Sequence, residues 1–250
     1  MGRLTWVEGP AWPGVDLRFS TRAGGVSHGA FASLNVGAHV GDAPEAVAHN
    51  RAQVTAALGG EPLWLEQVHG IDVVDADASH TAAPRADAAI TQVPGRVLAI
   101  MVADCLPVAI TNADGTILGA AHAGWKGLAG GVLEQTVQAM RRAQPARTAE
   151  LRAWIGPAIG PAAFEVGSEV RRAFIDAHAA SVDCFAAHAD TPGKWWADLP
   201  ALAEHRLRLA GVTSIVQSGR CTVSEPTHFF SYRRDGQTGR MALFGSLTSR

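Results

Sequence analysis

The sequence predicts an α/β fold, and three observations carry that prediction. An apolar, β-branched-rich run at 97–103 resumes at 106–111 and again at 116–121, with Asn112-Ala113-Asp114-Gly115 as strong turn chemistry before the last piece. This reads as strand, turn, strand. The glycine-rich segment 123–131 then leads into a helix carrying Val132, Leu133, Thr136, Val137 and Met140 on one face, and a strand follows at 151–155. Strand, helix, strand in that order is the pattern of a parallel crossover. Finally, 250 residues with 47% hydrophobic content can bury a sizeable core, and residues 1–250 are expected to form one domain.

The other elements follow from local pattern. Val15, Leu17 and Phe19 alternate with Asp16, Arg18 and Ser20, as in a half-buried strand, and Arg22 opens the Gly-containing loop after it. An arginine there either clamps an anion or is simply solvated. Asp42 is placed to cap a helix whose stripe of Val47, Val54 and Leu58 runs until Gly59-Gly60 stops it, with Arg51 on that helix. Leu63-Trp64-Leu65 and residues 71–74 suggest two strands around a tight bend that holds His69. Residues 156–161 make a rigid Gly-Pro loop, Val170, Phe174 and Ile175 mark a helix after Ser168, and Asp198 caps another that ends at Gly211. A strand is expected at 212–216. Residues 229–234 and 240–247 read as a closing pair of strands around an Asp-Gly turn. His178, His188 and His205 read as ordinary surface or packing residues.

Composition excludes several partners. A formal charge of −2, from 21 basic and 23 acidic residues, gives no electrostatic case for nucleic acid or an acidic membrane. Cys105, Cys184 and Cys221 are an odd, widely spaced set, poor material for a disulfide framework and better suited to a reducing cytoplasm. The first residues lack the apolar stretch of a signal peptide, and no apolar run approaches the roughly 20 residues of a membrane helix. A cytoplasmic, soluble protein is expected.

The chemistry is expected around the hairpin. If Asn112 and Gly115 close its turn, Cys105 faces His122 across the ladder with Cβ atoms roughly 5 Å apart. A slip of the turn sets Pro107 opposite His122 instead, and Pro107 itself argues for an edge or a break in the strand. His69 is a third polar residue at a bend. Two imidazoles and one thiolate suit Zn²⁺ and leave a fourth position for water or substrate. The same pair also suits a Cys-His dyad, in which His122 draws the proton from Cys105, and a buried cysteine beside a packing histidine requires no chemistry at all. The glycines at 124–131 offer free backbone N–H groups to phosphate or, equally, allow close helix packing. They do not form a P-loop, because Lys126 is not followed by Ser or Thr.

The strings RAGGVS, NR, EQVHG, ADCLPV, AAHAGWKG, IGPAIGP with FEVG, and FFSYRR with TGR run in order from Arg22 to Arg240. Together they resemble the YfiH-like family, also called laccase-domain or multicopper polyphenol oxidase proteins and regarded as purine nucleoside phosphorylases. The resemblance implies an α/β/β/α arrangement, with mixed β-sheets layered between helices, and a zinc site on His69, Cys105 and His122 open to a nucleoside pocket. It also implies phosphorolysis of adenosine, inosine, guanosine and methylthioadenosine to free base and ribose 1-phosphate, with adenosine deamination alongside. Its partners are then small molecules, nucleosides and phosphate.

Against that expectation, Arg22, Arg51, Lys126 and Arg233 are candidates to hold phosphate. Asp104 is a candidate to orient a metal ligand or to act as an acid in deamination. Copper oxidation is disfavoured, since the ten histidines include no His-X-His pair, and Met101 is the local methionine that a blue-copper-like centre would need. A Cys-His hydrolase acting on amide or cell-wall-type substrates is the rival enzyme. A structural zinc would need a fourth ligand, for which Cys221 or His228 is available.

Overall fold

A computed structural model of the chain describes residues 3–148 and 150–249; the ends of the expected 1–250 domain and residue 149 lie outside the described residues. In chain order the first strands are β1 (Trp6–Glu8), β2 (Val15–Ser20), β3 (Pro62–Leu63), β4 (Val73–Asp75), β5 (Ala88–Thr91), β6 (Val97–Val102) and β7 (Leu106–Asn112). They are followed by β8 (Leu118–Ala123), β9 (Leu151–Ile155), β10 (Glu165–Gly167), β11 (Phe185–Ala187), β12 (Lys194–Ala197), β13 (Ser214–Gln217) and β14 (Met241–Leu247). The helices are α1 (Pro44–Leu58), α2 (Trp125–Gly130), α3 (Val132–Ala143), α4 (Ser168–Ile175), α5 (Leu199–Leu209) and α6 (Tyr232–Asp235).

Two mixed sheets form the frame, one ordered β1-β2-β14-β6-β3 and the other β13-β9-β7-β8-β5-β4, with β10-β12-β11 as a small third sheet. The continuous apolar run of β6 makes sense in the middle of this stack. Val97, Ala99 and Met101 face α1 with Val54, while Leu98, Ile100 and Val102 face Ala109, Leu118 and Ala120 of the second sheet. The outer face of the second sheet is covered by α3 and α5, through Val132, Leu133, Val137 and Met140 of the stripe expected from sequence and through Leu202 and Leu207. Burying those four α3 side chains stabilises the fold by roughly 6–12 kcal/mol before entropy is counted. The α/β/β/α layering implied by the resemblance is therefore what the chain adopts.

The crossover is parallel, as expected: β8 and β9 run the same way, with β7 between them and antiparallel to both. Gly119 makes room for it, because a Cβ there would lie 2.9 Å from Met140 Sδ and from Thr136 Cγ2. The hairpin takes the slipped register. Pro107, not Cys105, lies opposite His122, since β8 begins only at Leu118. Pro107 sits inside a central strand without breaking it for a physical reason. The His122 N–H turns away to Asp87 O (2.7 Å), so the Pro107–His122 pair asks for no bond between its members. On the other side Pro107 only accepts, from Gly156 N–H at 2.9 Å, and the β9 ladder starts at Val108.

Three local expectations are corrected. Residues 229–234 are not a strand: Phe229 and Phe230 are buried, and Ser231 caps α6 by accepting from Arg234 N–H. Asp42 does not cap α1. The helix starts at Pro44 after Ala43, while Asp42 takes hydrogen bonds from Ser27 Oγ (2.6 Å) and Asn35 Nδ2 (2.9 Å). The stretches beside His69 do not pair with each other, because β3 belongs to the first sheet and β4 to the second. Asp198, by contrast, does cap α5, accepting from Ala201 N–H at 2.9 Å.

Candidate metal centre

The loop from β3 to β4 and the turn from β6 to β7 both cross from the first sheet to the second. His69 lies on one crossing and Cys105 on the other, while His122 lies near the end of β8, on the face that Leu118 and Ala120 turn toward the first sheet. The open end of the space between the sheets therefore collects all three.

Their donor atoms lie within 4.8 Å of one another. Cys105 Sγ is 3.8 Å from His69 Nε2, and the two imidazole rings meet edge to face at 4.7 Å. A tetrahedral ion with bonds of about 2.0–2.3 Å holds neighbouring N and S donors roughly 3.5 Å apart, so the set fits a metal with little closure. Gly124 completes the fit, because a Cβ there would stand 2.8 Å from His69 Cδ2 and 3.0 Å from Cys105 Sγ. Gly127 similarly lets α2 approach Gly70 O. At these two positions the glycines serve close packing around the three donors.

Hydrogen bonds hold the loops in strained shapes. His69 (φ 60°) and Asp104 (φ 89°) are both left-handed without being glycine, a conformation that costs on the order of 1–3 kcal/mol and persists where surrounding bonds impose it. Asp87 imposes the first. Fully buried, it accepts from His69 N–H (2.9 Å), Gly70 N–H (2.7 Å) and Val68 N–H (3.1 Å), and from His122 Nδ1 at 2.8 Å. That last bond makes Nδ1 the protonated nitrogen and leaves Nε2 as the donor to a metal. Asp104 is imposed by Ile159 N–H on its carbonyl and by Thr222 Oγ1 and Arg233 N–H on its carboxylate, both at 2.6 Å. Its carboxylate thus faces Thr222 and Arg233, while the carboxylate on His122 belongs to Asp87.

Charge in the cluster is coupled. Burial pushes the Cys105 thiol up, but His122 and then His69 outweigh it and hold it at about 6. For His122, burial pushes the imidazole down, yet Cys105 and Asp87 raise it to about 9. These are two views of one thiolate–imidazolium pair sharing a proton, which is the proton a bound metal displaces. Burial raises the Asp87 carboxyl, and its bonds to His122 and Gly70 more than compensate, leaving it lowered.

A cavity of about 360 Å³ opens beside the donors, with Gln67, Met101, Tyr232, His39 and Arg240 among its walls. Gln67 is fixed there by exchanging two bonds of 2.8 Å with the Met101 backbone. The expected phosphate ligands lie elsewhere. Arg22 donates to Ala32 O and Pro226 O, Arg51 to Val36 O while stacking 4.0 Å over Trp64, and Arg233 to Ala163 O and Glu165 O. Lys126 heads α2 near the Trp125 ring. None of these four lines the cavity. Nor do Cys221 and His228 join the metal set: Cys221 Sγ accepts from Gly160 N–H in a separate hollow, and His228 bonds Thr227 Oγ1. The structural-zinc alternative thereby loses its fourth ligand. Met101 Sδ takes an Arg51 N–H at 3.7 Å.

Residues 16–248 match the family model described as multi-copper polyphenol oxidoreductase laccase. The chain belongs to this family. It is 50% identical over 240 residues to a purine nucleoside phosphorylase of Pseudomonas aeruginosa, covering 95% of this chain and 96% of that one. It is also 50% identical to the Escherichia coli protein named purine nucleoside phosphorylase YfiH, over 94% and 96% of the two chains. Among solved structures, a Neisseria meningitidis protein superposes with a TM-score of 0.91 at 43% identity, covering 98% and 99% of the two chains. YfiH from Bacillus licheniformis gives 0.87 at 32%, covering 94% and 93%.

Asp87, His39, Gln67, Tyr232 and Arg240 were not singled out by sequence reasoning. Arg240 stood in the TGR string and Gln67 in EQVHG, but nothing in the spacing tied either to the cavity. For Asp87 the available signal was an acidic residue directly before the buried run of β5.

Proposed function

We propose that the chain is a zinc-dependent purine nucleoside phosphorylase, a single domain over 1–250, that cleaves adenosine, inosine, guanosine and methylthioadenosine with phosphate and also deaminates adenosine in the cytoplasm. The observation that carries this reading is the convergence of His69, Cys105 and His122 on a cavity large enough for a small-molecule ligand, with a coordination position left over. The phosphorylase names of relatives at 50% identity and near-full coverage point to the same chemistry.

His69 and His122 through imidazole nitrogen, and Cys105 through sulfur, would hold the zinc, and Asp87 fixes the tautomer of His122. Zinc supplies a Lewis acid that polarises an oxygen brought to it. The remaining work belongs to the chain. Tyr232 offers an aromatic face at the cavity wall, and the tied Gln67 amide gives a rigid polar edge against which a base can be oriented. In phosphorolysis a phosphate oxygen bonds to C1′ as the bond from C1′ to the base nitrogen breaks; the electron pair and a proton leave with the base. Holding the two reactants in line is the main contribution a protein makes to such a step. Deamination adds water at C6 of adenine and expels ammonia.

A second reading has its own observation. Cys105, His122 and Asp87 also stand in the order of a nucleophile, base and orienting carboxylate, with the thiol lowered to about 6. Such a thiol hydrolase needs no metal. The test is adenine release from adenosine by zinc-loaded protein, with and without phosphate and after verified metal removal. Phosphate-dependent release that vanishes with the metal is expected. Loss of nucleoside cleavage in every condition, together with amide hydrolysis by metal-free protein, would select the hydrolase.

A further inference from the structure

The cavity beside the three donors is one of two adjoining hollows. The second, of about 340 Å³, is lined by Val40, Gly236, Gln237 and Thr238, and the two share His39, Tyr232 and Arg240 as a common wall. We infer that Arg240, with His39 beside it, forms an oxyanion subsite at this junction, where inorganic phosphate binds while a nucleoside occupies the first hollow. The inference rests on the phosphorylase reading for its choice of anion, and replaces Arg22, Arg51, Lys126 and Arg233 in that role.

Arg240 is held ready for such a ligand. Its N–H donates to Asn35 Oδ1 at 2.8 Å, and its stem packs on Gly37, where a Cβ would lie 2.7 Å from Arg240 Cγ. One end of the guanidinium, NH1, donates to Thr238 O (3.0 Å) and Gly239 O (3.1 Å). Its other donors, Nε and NH2, have no hydrogen-bond acceptor among the described residues. A guanidinium remains charged in a protein, and this one, partly buried, has no ion-paired carboxylate among the described residues. The nearby Asp104 carboxylate is already taken by Thr222 and Arg233 N–H. The planar edge left over matches two oxygens of a phosphate.

The other arginines show the contrast. The Nε of Arg22 and of Arg51 is already spent on a carbonyl, and the Arg234 fork is closed on Asp235 and backbone oxygens. Arg233, whose NH1 bridges two carbonyls as that of Arg240 does, lines neither hollow. His39 complements the cation. Burial, then Arg240 and Arg51, hold its imidazole below the ordinary value. Uncharged, the ring has one N–H to give and one nitrogen that accepts a hydrogen bond from a protonated phosphate oxygen. The second hollow gives the anion an entrance of its own, so phosphate reaches Arg240 with the nucleoside already in place.

The test is calorimetric binding of inorganic phosphate to zinc-loaded protein, for the wild type and for Arg240→Gln and Arg240→Lys, with phosphate KM for base release measured in parallel. Arg240→Gln is expected to weaken phosphate binding and raise phosphate KM by about 10- to 100-fold, with nucleoside KM little changed. Arg240→Lys, which keeps the charge and loses the fork, should fall between. Unchanged phosphate binding in Arg240→Gln overturns the inference, most directly if zinc affinity falls instead, because Arg240 is then a counter-charge to Cys105. A wild type that binds no phosphate overturns it as well. Arg240-dependent phosphate binding without phosphate-dependent base release would leave the subsite standing and remove the phosphorylase reading.

Discussion

Replacing Asp87 by Asn changes one atom of a fully buried side chain and disturbs both imidazole donors. If the amide oxygen takes the place of Oδ1, it keeps the bonds to His122 Nδ1 and His69 N–H. The new NH2 group then faces the N–H groups of Gly70 and Val68, which lose their acceptor. Leaving these two part-buried donors without an acceptor costs on the order of 1–3 kcal/mol, a fall in Tm of roughly 2–12 °C for a chain of this size. Separately, His122 loses the charge behind its ring, which should weaken zinc binding about 10- to 100-fold. Competition with a chromophoric chelator reads the affinity, and absorption of the cobalt-substituted protein reports the ligand geometry. Wild-type zinc affinity in a folded Asp87→Asn protein would refute the argument that this carboxylate sets the His122 donor.

Three further outcomes are expected. Gly124→Ala should preserve the fold but weaken zinc binding, because its methyl group must push His69 or Cys105 aside; unchanged affinity by chelator competition would show that the site yields freely. With Cys105 at about 6 and His122 at about 9, the metal-free pair holds one proton between those limits and the metal-bound pair holds none. Apparent zinc affinity should therefore rise about tenfold per pH unit from roughly pH 6 to pH 9 and flatten above, and a pH-independent chelator titration would contradict the shared proton. Arg233→Ala removes bonds to Ala163 O and Glu165 O, so it should lower stability by about 1–2 kcal/mol in urea unfolding while leaving phosphate KM unaltered.

What could be read from the sequence was whatever depends on short-range pattern. The α3 stripe, the Asp198 cap and the β2 alternation are set by residues three or four apart, or by period two, and each lies where that pattern puts it. Pairings that depend on tertiary geometry were less accessible. A longer turn moved the register so that Cys105 leaves the ladder, and Pro107 was tolerated because the neighbouring strand begins one residue later. Phe229 and Phe230 looked like a strand by composition, yet the Ser231 cap turns residues 232–235 into a short helix. Asp87 joins His69 and His122 across 18 and 35 residues, a relation no local pattern carries. Arginines were visible, but whether a carbonyl already occupied the guanidinium was not.

The position of β14 bears on how the chain reaches this state. In the first sheet it lies between β2 and β6, antiparallel to both, although it comes more than a hundred residues after them. During synthesis β2 and β6 emerge with no partner between them. The sheet is completed only when residues 241–247 arrive, and Arg240 arrives with them. A ribosome-bound chain lacking that segment would carry His69, Cys105 and His122 without their enclosing frame. Folding should therefore be slow and dominated by long-range pairing.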